Sequence, residues 1–79
     1  MILKILTPQS AGAGIKVSKV FLPGADGRFE VLENHAPLLS ALAAGTVAWC
    51  DEDDGSQGNL DINSGFARVE DNVITVVVG

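Results

Sequence analysis

The sequence contains a single cysteine and a single histidine, which excludes most chemistry that depends on these side chains. Cys50 cannot form an internal disulfide, so the chain suits a reducing compartment or one in which oxidation has no effect on the fold. A structural zinc site needs about four His or Cys ligands, and only Cys50 and His35 are available. Nucleophilic catalysis by this pair stays open, but nothing in the sequence brings the two side chains together. We interpret Cys50 as a small buried residue at the end of a strand.

Basic residues and long apolar runs are also scarce. Five Lys and Arg residues against ten Asp and Glu residues give a net charge of −5. Nucleic acids and anionic membrane surfaces would be repelled, so neither is predicted as a ligand. Apolar runs such as residues 76–78 are far shorter than the roughly 18 residues that span a bilayer, and the N-terminus lacks the features of a signal peptide. We therefore expect no direct insertion into the bilayer.

The residues that are present form a β-rich pattern. At 79 residues and 47% hydrophobic content, the chain is expected to be one ordered domain, residues 1–79. Short runs of alternating apolar and polar residues, separated by Gly, Pro, Asn and Asp, predict strands at residues 1–6, 15–22, 28–32, 46–50, 59–63, 66–69 and 73–78. Regularly spaced short strands predict an all-β fold of seven to nine strands, a sandwich or flattened barrel with little or no helix.

Three details of this pattern lead to specific expectations. The apolar residues on either side of Ser18 and Lys19 are one position out of phase, which predicts a β-bulge there. Residues 38–44 have the strongest helix propensity in the chain, so a single helical turn capped by Gly45 is an alternative to a strand. Phe66 is predicted to lie in the core, where Phe66→Ala would cost about 3–5 kcal/mol.

The acidic run at residues 51–54 is the one feature that suggests a metal. Calcium loops alternate their carboxylates and close with a bidentate Glu, which is missing at the required distance, so we interpret the run as a solvated hairpin tip. Gly24 and Gly27 are not followed by the Lys-Ser pair and helix of a phosphate-binding loop. His35 is interpreted as a turn residue whose ring bonds a neighbouring backbone group, with an interface or pH-sensing role as the alternative. No catalytic residue, metal or cofactor is predicted.

The segment from residue 22 to residue 39 carries the most specific motifs. LPGADGRF at residues 22–29 and VLENHAPLL at residues 31–39 resemble the β-sandwich domain of the epsilon subunit of F-type ATP synthase, called delta in mitochondria. LKILTP at residues 3–8, ALAAGTV at 41–47, SGFARV at 64–69 and NVITV at 72–76 are similar to the family in the same order. The resemblance therefore runs along essentially the whole chain.

The resemblance implies a flattened sandwich of about ten strands and a non-catalytic rotor subunit of a proton-translocating ATP synthase. The domain would lie at the foot of the central stalk, against the gamma subunit and the polar loops of the c-ring, on the cytoplasmic face of a bacterial inner membrane. There it would fix the stalk to the ring, so that rotation is coupled to ATP synthesis. The positions that match the family's gamma and c-ring contacts are Asp26, Gly27, Arg28, Glu30, Asn34, His35, Ala36 and Pro37.

Three departures from the family pattern affect these expectations. Many members have an acidic residue in place of Arg28 and glycine in place of Glu30, so the charge of the preferred partner is expected to differ. The small residues at 11–14 predict a short or frayed strand. Most members continue after the sandwich into a helical hairpin that regulates ATP hydrolysis, which a chain complete at Gly79 could not supply. The alternative function is a stand-alone small-ligand or metal-binding sandwich that uses His35 and residues 51–54.

Overall fold

The computed structural model describes the whole chain, Met1–Gly79, as eight β-strands without a helix. No helix that could cross a membrane is present. The all-β prediction and its range of seven to nine strands are confirmed, whereas the ten strands implied by the resemblance are slightly too many. The strands are β1 (Ile2–Leu6), β2 (Ile15–Gly24), β3 (Gly27–Leu32), β4 (Leu38–Leu42), β5 (Gly45–Asp51), β6 (Gln57–Ile62), β7 (Gly65–Glu70) and β8 (Val73–Val78).

The strands form two layers that share one long strand. The front sheet has the antiparallel order β3-β2-β5-β6. The back sheet has the order β4-β7-β8-β1, in which β8 and β1 run parallel. The first residues of β2 also pair with β1, and its last residue, Gly24, pairs with Leu42 of β4. The result is a flattened sandwich of 29 × 27 × 19 Å.

The core between the two sheets is entirely apolar. Thirteen hydrophobic residues are buried, and no polar or charged side chain is buried with them. Most of the core comes from β-branched residues, which pack well on a pleated surface. Each fully buried side chain of this size contributes about 1.5–3 kcal/mol, so the core fixes the two sheets relative to each other. The largest fully buried side chains are Leu3, Val17, Val20, Leu22, Val31, Val47, Val69, Ile74 and Val76.

The first half of β2 shows the predicted bulge. The register between β2 and β5 shifts between Val17 and Lys19. Because one extra residue is inserted at this point, Val17 and Val20 both face the core and are fully buried. Residues 11–14, which precede β2, belong to no strand, as their small side chains predicted.

Residues 38–42 form strand β4, so the helical-turn alternative for residues 38–44 is wrong. The strand pairs with β7 along its full length, from Leu38 opposite Val69 to Leu42 opposite Gly65. In this conformation Leu42 is 5% exposed and Leu38 packs against the core. Packing and sheet hydrogen bonds outweigh a helix propensity that would be marginal over so few residues.

Phe66 lies on the outer face of the back sheet, and its prediction as a core residue is wrong. Ala67 and Val69 of the same strand are buried, whereas Phe66 is 56% exposed. Side chains alternate between the faces of a strand, so burying Phe66 would also place Arg68 and Glu70 in the core. The cost of burying those charges decides the register.

Candidate docking surfaces

The two predicted turns lie at opposite ends of β3. We call residues 25–26 the Asp26 turn and residues 34–37 the His35 turn. The six residues of β3 separate them, which at about 3.3 Å per residue corresponds to roughly 20 Å. The predicted site residues therefore form two separate surfaces, although they are close in sequence.

The Asp26 turn is tighter than the sequence predicted. The strands predicted at residues 15–22 and 28–32 leave residues 23–27 for the reversal. In the structure, Pro23 and Gly24 belong to β2 and Gly27 begins β3, so only Ala25 and Asp26 form the turn. A β-carbon on Gly24 would lie 2.6 Å from the carbonyl oxygen of Gly27. Gly27 itself has a φ of +133°, which L-residues with a side chain rarely adopt. These two glycines therefore allow the strands to approach closely and the turn to remain short.

Arg28 is bound along the outer face of the front sheet, because it belongs to β3 and not to the turn. Its Nη1 donates a hydrogen bond to the carbonyl of Thr46 at 2.7 Å. Its guanidinium carbon lies 5.8 Å from the centre of the Phe21 ring, and the ammonium of Lys19 lies 5.9 Å from the same ring. Glu30 pairs directly with Phe21 on this face. Arg28 is nevertheless exposed, so its charge is held in one place and is accessible to a partner.

The His35 turn is attached to the turn between β7 and β8 by two hydrogen bonds between asparagines. The backbone N–H of Asn34 donates to Oδ1 of Asn72 at 2.6 Å, and Nδ2 of Asn72 donates to Oδ1 of Asn34 at 2.9 Å. We call this pair the asparagine clasp. Asn34, Asp71 and Asn72 have φ values of +61°, +53° and +60°, in the left-handed region that Asn and Asp tolerate best among residues with a side chain. Asn72 was not among the predicted site residues.

His35 is oriented by its own turn, as its interpretation as a turn residue predicted. Its ring Nδ1 lies 2.7 Å from the carbonyl oxygen of Ala36. Because a carbonyl oxygen only accepts, Nδ1 must carry the proton of this bond, and Nε2 is the ring nitrogen without an intramolecular partner. The His35 turn and the β7–β8 turn line an open groove of about 440 Å³. Its lining residues are Asn34, His35, Ala36, Pro37, Asp71 and Asn72.

The acidic loop at residues 51–54 uses its carboxylates to bind its own backbone. Asp51 Oδ1 accepts hydrogen bonds from the N–H groups of Asp53 and Asp54 at 2.8 and 3.3 Å. Asp54 Oδ1 accepts from the N–H of Ser56 at 2.8 Å. Hydrogen bonds from the side chain of Ser56, and then from its backbone, lower the pKa of the Asp54 carboxyl below its usual value. No group of three or more His, Cys, Asp or Glu side chains is arranged to hold a metal ion.

Cys50 differs from its prediction as a buried residue. It is half-buried within β5 and faces the outer side of the front sheet, opposite Lys19 and Gln57. Its thiol makes no hydrogen bond with His35, whose ring bonds Ala36. The structure therefore shows no activation of Cys50 by the one histidine in the chain.

An exposed apolar surface crosses the outer face of the back sheet, and the sequence did not predict it. Ala41, Phe66 and Val77 lie opposite one another on β4, β7 and β8, and Leu6 continues this line on β1. We call these four residues the apolar row. Phe66 and Val77 are 56% and 46% exposed, and Leu39 beside them is 73% exposed. Contiguous apolar surface of this kind marks an interaction site more often than scattered apolar residues do.

The family model described as the β-sandwich domain of the ATP synthase delta/epsilon chain matches residues 1–79. The chain belongs to this family. Because the match extends from the first residue to the last, both sheets and both candidate turns are part of the epsilon-type sandwich.

Curated relatives of this epsilon-type sandwich are ATP synthase epsilon chains from bacteria. The protein from Sulfurovum sp. is 38% identical over 78 residues, which cover 99% of this chain and 60% of the relative. The protein from Nitratidesulfovibrio vulgaris (strain DP4) is 39% identical over 75 residues, or 95% of this chain and 54% of the relative. The protein from Chlorobium limicola is 40% identical over 70 residues, which cover 89% of this chain and 78% of the relative. The chain thus spans a little over half the length of the first two relatives.

Solved structures share the epsilon-type fold at lower identity. A chain from the central stalk and c-ring of the Tetrahymena thermophila mitochondrial ATP synthase matches with a TM-score of 0.82 at 18% identity, covering 99% of this chain and 62% of its own length. A chain of the Euglena gracilis mitochondrial ATP synthase, from a structure of OSCP, F1 and the c-ring, matches with a TM-score of 0.84 at 22% identity. The match covers 99% of this chain and 49% of that chain. Their likeness concerns the arrangement of the strands.

Proposed function

We propose that this chain is a non-catalytic rotor subunit of a proton-translocating F-type ATP synthase, which docks the gamma subunit to the membrane c-ring. The observation that carries the proposal is the match of all 79 residues to a family whose curated relatives are ATP synthase epsilon chains. Residues 1–79 act in it as one rigid domain. The protein is peripheral on the cytoplasmic face of a bacterial inner membrane, and rotation of the ring is coupled through it to ATP synthesis.

The gamma subunit docks on the apolar row of the back sheet. Long-lived interfaces are more hydrophobic than the rest of a protein surface, and their centres favour aromatic residues. Phe66 stands in the middle of the row, between Ala41 and Val77, with more than half of its surface open. On the front sheet the exposed large apolar residue is Leu32, which lies beside the charged residues Lys19 and Glu30. The back sheet is therefore the better face for a permanent partner.

The two turns contact different rotor neighbours. A separation of roughly 20 Å is about the length of the whole strand between them, so a small contact cannot include both. Polar turns of this kind fit a polar partner surface, such as the loops of a c-ring, better than they fit an apolar partner surface. The residues proposed for these contacts to gamma and the c-ring are Asp26, Gly27, Arg28 and Glu30 at one end of β3, and Asn34, His35, Ala36 and Pro37 at the other.

The affinity for the gamma subunit tests the role of the apolar row. Phe66→Glu is expected to weaken binding by about 30-fold or more, since a central aromatic contact contributes about 2 kcal/mol or more. Leu32→Glu is the matched control, because Leu32 is 52% exposed and Phe66 is 56% exposed, but on opposite sheets. Binding measured by calorimetry should be lost only for Phe66→Glu. Equal affinities of the two variants would contradict docking on the back sheet.

Cross-linking in membranes tests the role of the two turns. Single cysteines are introduced as Asp26→Cys and as His35→Cys in a Cys50→Ser background, so that each chain carries one thiol. We expect one variant to cross-link to gamma and the other to the c-ring. If both form adducts with the same subunit, the proposal of two separate contacts is wrong. If neither forms an adduct with any rotor subunit, the docking role of the turns is wrong.

A further inference from the structure

We propose that Asn72 is a positioning residue, whose side chain holds the His35 turn in the one conformation that docks. Asn72 is not in the turn, and 38 residues separate it from Asn34. Its side chain nevertheless forms both hydrogen bonds of the asparagine clasp. This inference rests on the proposed contact between the His35 turn and a rotor neighbour.

The turn has few internal bonds that could hold it by itself. The N–H of His35 donates to the carbonyl of Leu32, the last residue of β3, at 3.2 Å, and within the turn the His35 ring bonds Ala36. Asn34 adopts the left-handed conformation, which is uncommon for residues with a side chain and is retained when the surroundings favour it. The bond from its N–H to Asn72 at 2.6 Å is the shortest hydrogen bond between the turn and the rest of the chain.

Asn72 is itself firmly placed. Its carbonyl oxygen accepts a hydrogen bond from the N–H of Ile2 at 2.9 Å, which ties it to β1. It stands directly before β8, whose Ile74 and Val76 are fully buried. The clasp therefore connects the exposed His35 turn to the rigid part of the back sheet.

A turn that is fixed before binding loses less conformational freedom when a partner docks. Ordering a mobile loop on association costs affinity, so preorganisation by the clasp raises affinity without adding a contact. Both hydrogen bonds lie at the surface, outside the core. Removing the Asn72 side chain should therefore change how the turn is presented and leave the packing of the sandwich intact.

Amide hydrogen exchange tests the clasp independently of any partner. Asn72→Gly keeps a left-handed backbone and removes both side-chain bonds, so exchange at the Asn34 amide should accelerate by about five- to tenfold. Asn72→Asp should restore slow exchange, because its carboxylate accepts from the Asn34 N–H and from the Asn34 side-chain amide once that amide is flipped. Asp71→Gly is the control, since Asp71 is also left-handed and its side chain makes no hydrogen bond. Unchanged exchange in Asn72→Gly would overturn the proposal.

Binding to the gamma subunit and to the solubilised c-ring then tests the positioning role. For the partner that recognises the turn, Asn72→Gly should weaken binding several-fold, and Asn72→Asp should restore it. His35→Ala, a change in the turn itself, separates the two hypotheses. If His35→Ala weakens binding and Asn72→Gly does not, the positioning role is wrong and docking by the turn stands. If His35→Ala leaves both affinities unchanged, the turn does not dock, and the positioning role falls with it.

Discussion

Truncation of Phe66 tests whether the back sheet has the register that the structure shows. A phenylalanine side chain has roughly 200 Å² of surface, and 56% of Phe66 is exposed. About 90 Å² of the Phe66 side chain is therefore buried. At about 25 cal/mol per Å², this burial stabilises the fold by at most about 2 kcal/mol. Alanine retains the β-carbon and part of this burial. Phe66→Ala should thus lower the free energy of unfolding by about 1–1.5 kcal/mol.

Truncation of a buried residue in the same sheet should lower the free energy of unfolding by more than truncation of Phe66 does. Ile74 is fully buried on β8, so Ile74→Ala should cost about 2–5 kcal/mol through lost burial and the cavity left behind. Urea unfolding measures both values, and each 1 kcal/mol corresponds to about 4–8 °C in Tm for a domain of this size. A loss of about 3 kcal/mol or more for Phe66→Ala would show that the ring is buried in solution. The register, and docking on the apolar row, would then both be wrong.

Other predictions concern the front sheet and its acidic loop. Gly58→Ala should destabilise the domain by about 1–3 kcal/mol, because a β-carbon there would lie 2.3 Å from the Trp49 ring. The fluorescence of Trp49, the single tryptophan, should shift at the same time. A variant with unchanged stability and fluorescence would contradict this contact. Ser56→Ala should raise the pKa of Asp54 towards its usual value in an NMR titration. Because the pKa of Asp54 is lowered in the folded state, the ionised carboxylate stabilises the fold at neutral pH, and this stabilisation is lost as the pH falls through that pKa. An unchanged pKa in Ser56→Ala would show that the Ser56 side chain does not lower it. Arg28→Gln should cost only about 0.5–1 kcal/mol in urea unfolding, since its partners are at the surface, and a larger loss would show that Arg28 is structural first.

The strand pattern could be predicted because burial leaves a period of two in the sequence. Leu60 and Ile62 alternate with polar residues on β6, as predicted, and Ile62 is 5% exposed. The bulge after Val17 was visible for the same reason, since the phase of the alternation changes there. Such signals need only neighbouring residues, so the sequence alone contains them.

Two local errors have a common physical cause. The helix propensity of residues 38–44 and the aromatic character of Phe66 are properties of single residues. Both are overruled by the sheet, because pairing with β7 puts Leu42 in the core and the charges of Arg68 and Glu70 outside it. The strand that packs against each segment decides its conformation, and that strand lies far away in the sequence.

The candidate surfaces could be predicted only in part. The motif around His35 indicated a docking turn, but its attachment to Asn72 across 38 residues has no local signal. The same holds for the apolar row, whose members come from four strands distributed over the chain from Leu6 to Val77. Surfaces of this kind appear only when the order and register of the strands are known.

The sharing of β2 between the two sheets has a mechanical consequence. From Val17 to Gly24 it pairs with β3 or β5 of the front sheet, and at its two ends it pairs with the back sheet, through Ile15 and Lys16 to β1 and through Gly24 to β4. A force that pulls one layer away from the other is therefore carried by a continuous covalent backbone, and not only by contacts between side chains. Sliding the layers would have to shear hydrogen bonds at both ends of β2 together. Under torque, the sandwich should behave as a stiff link with no hinge between its layers.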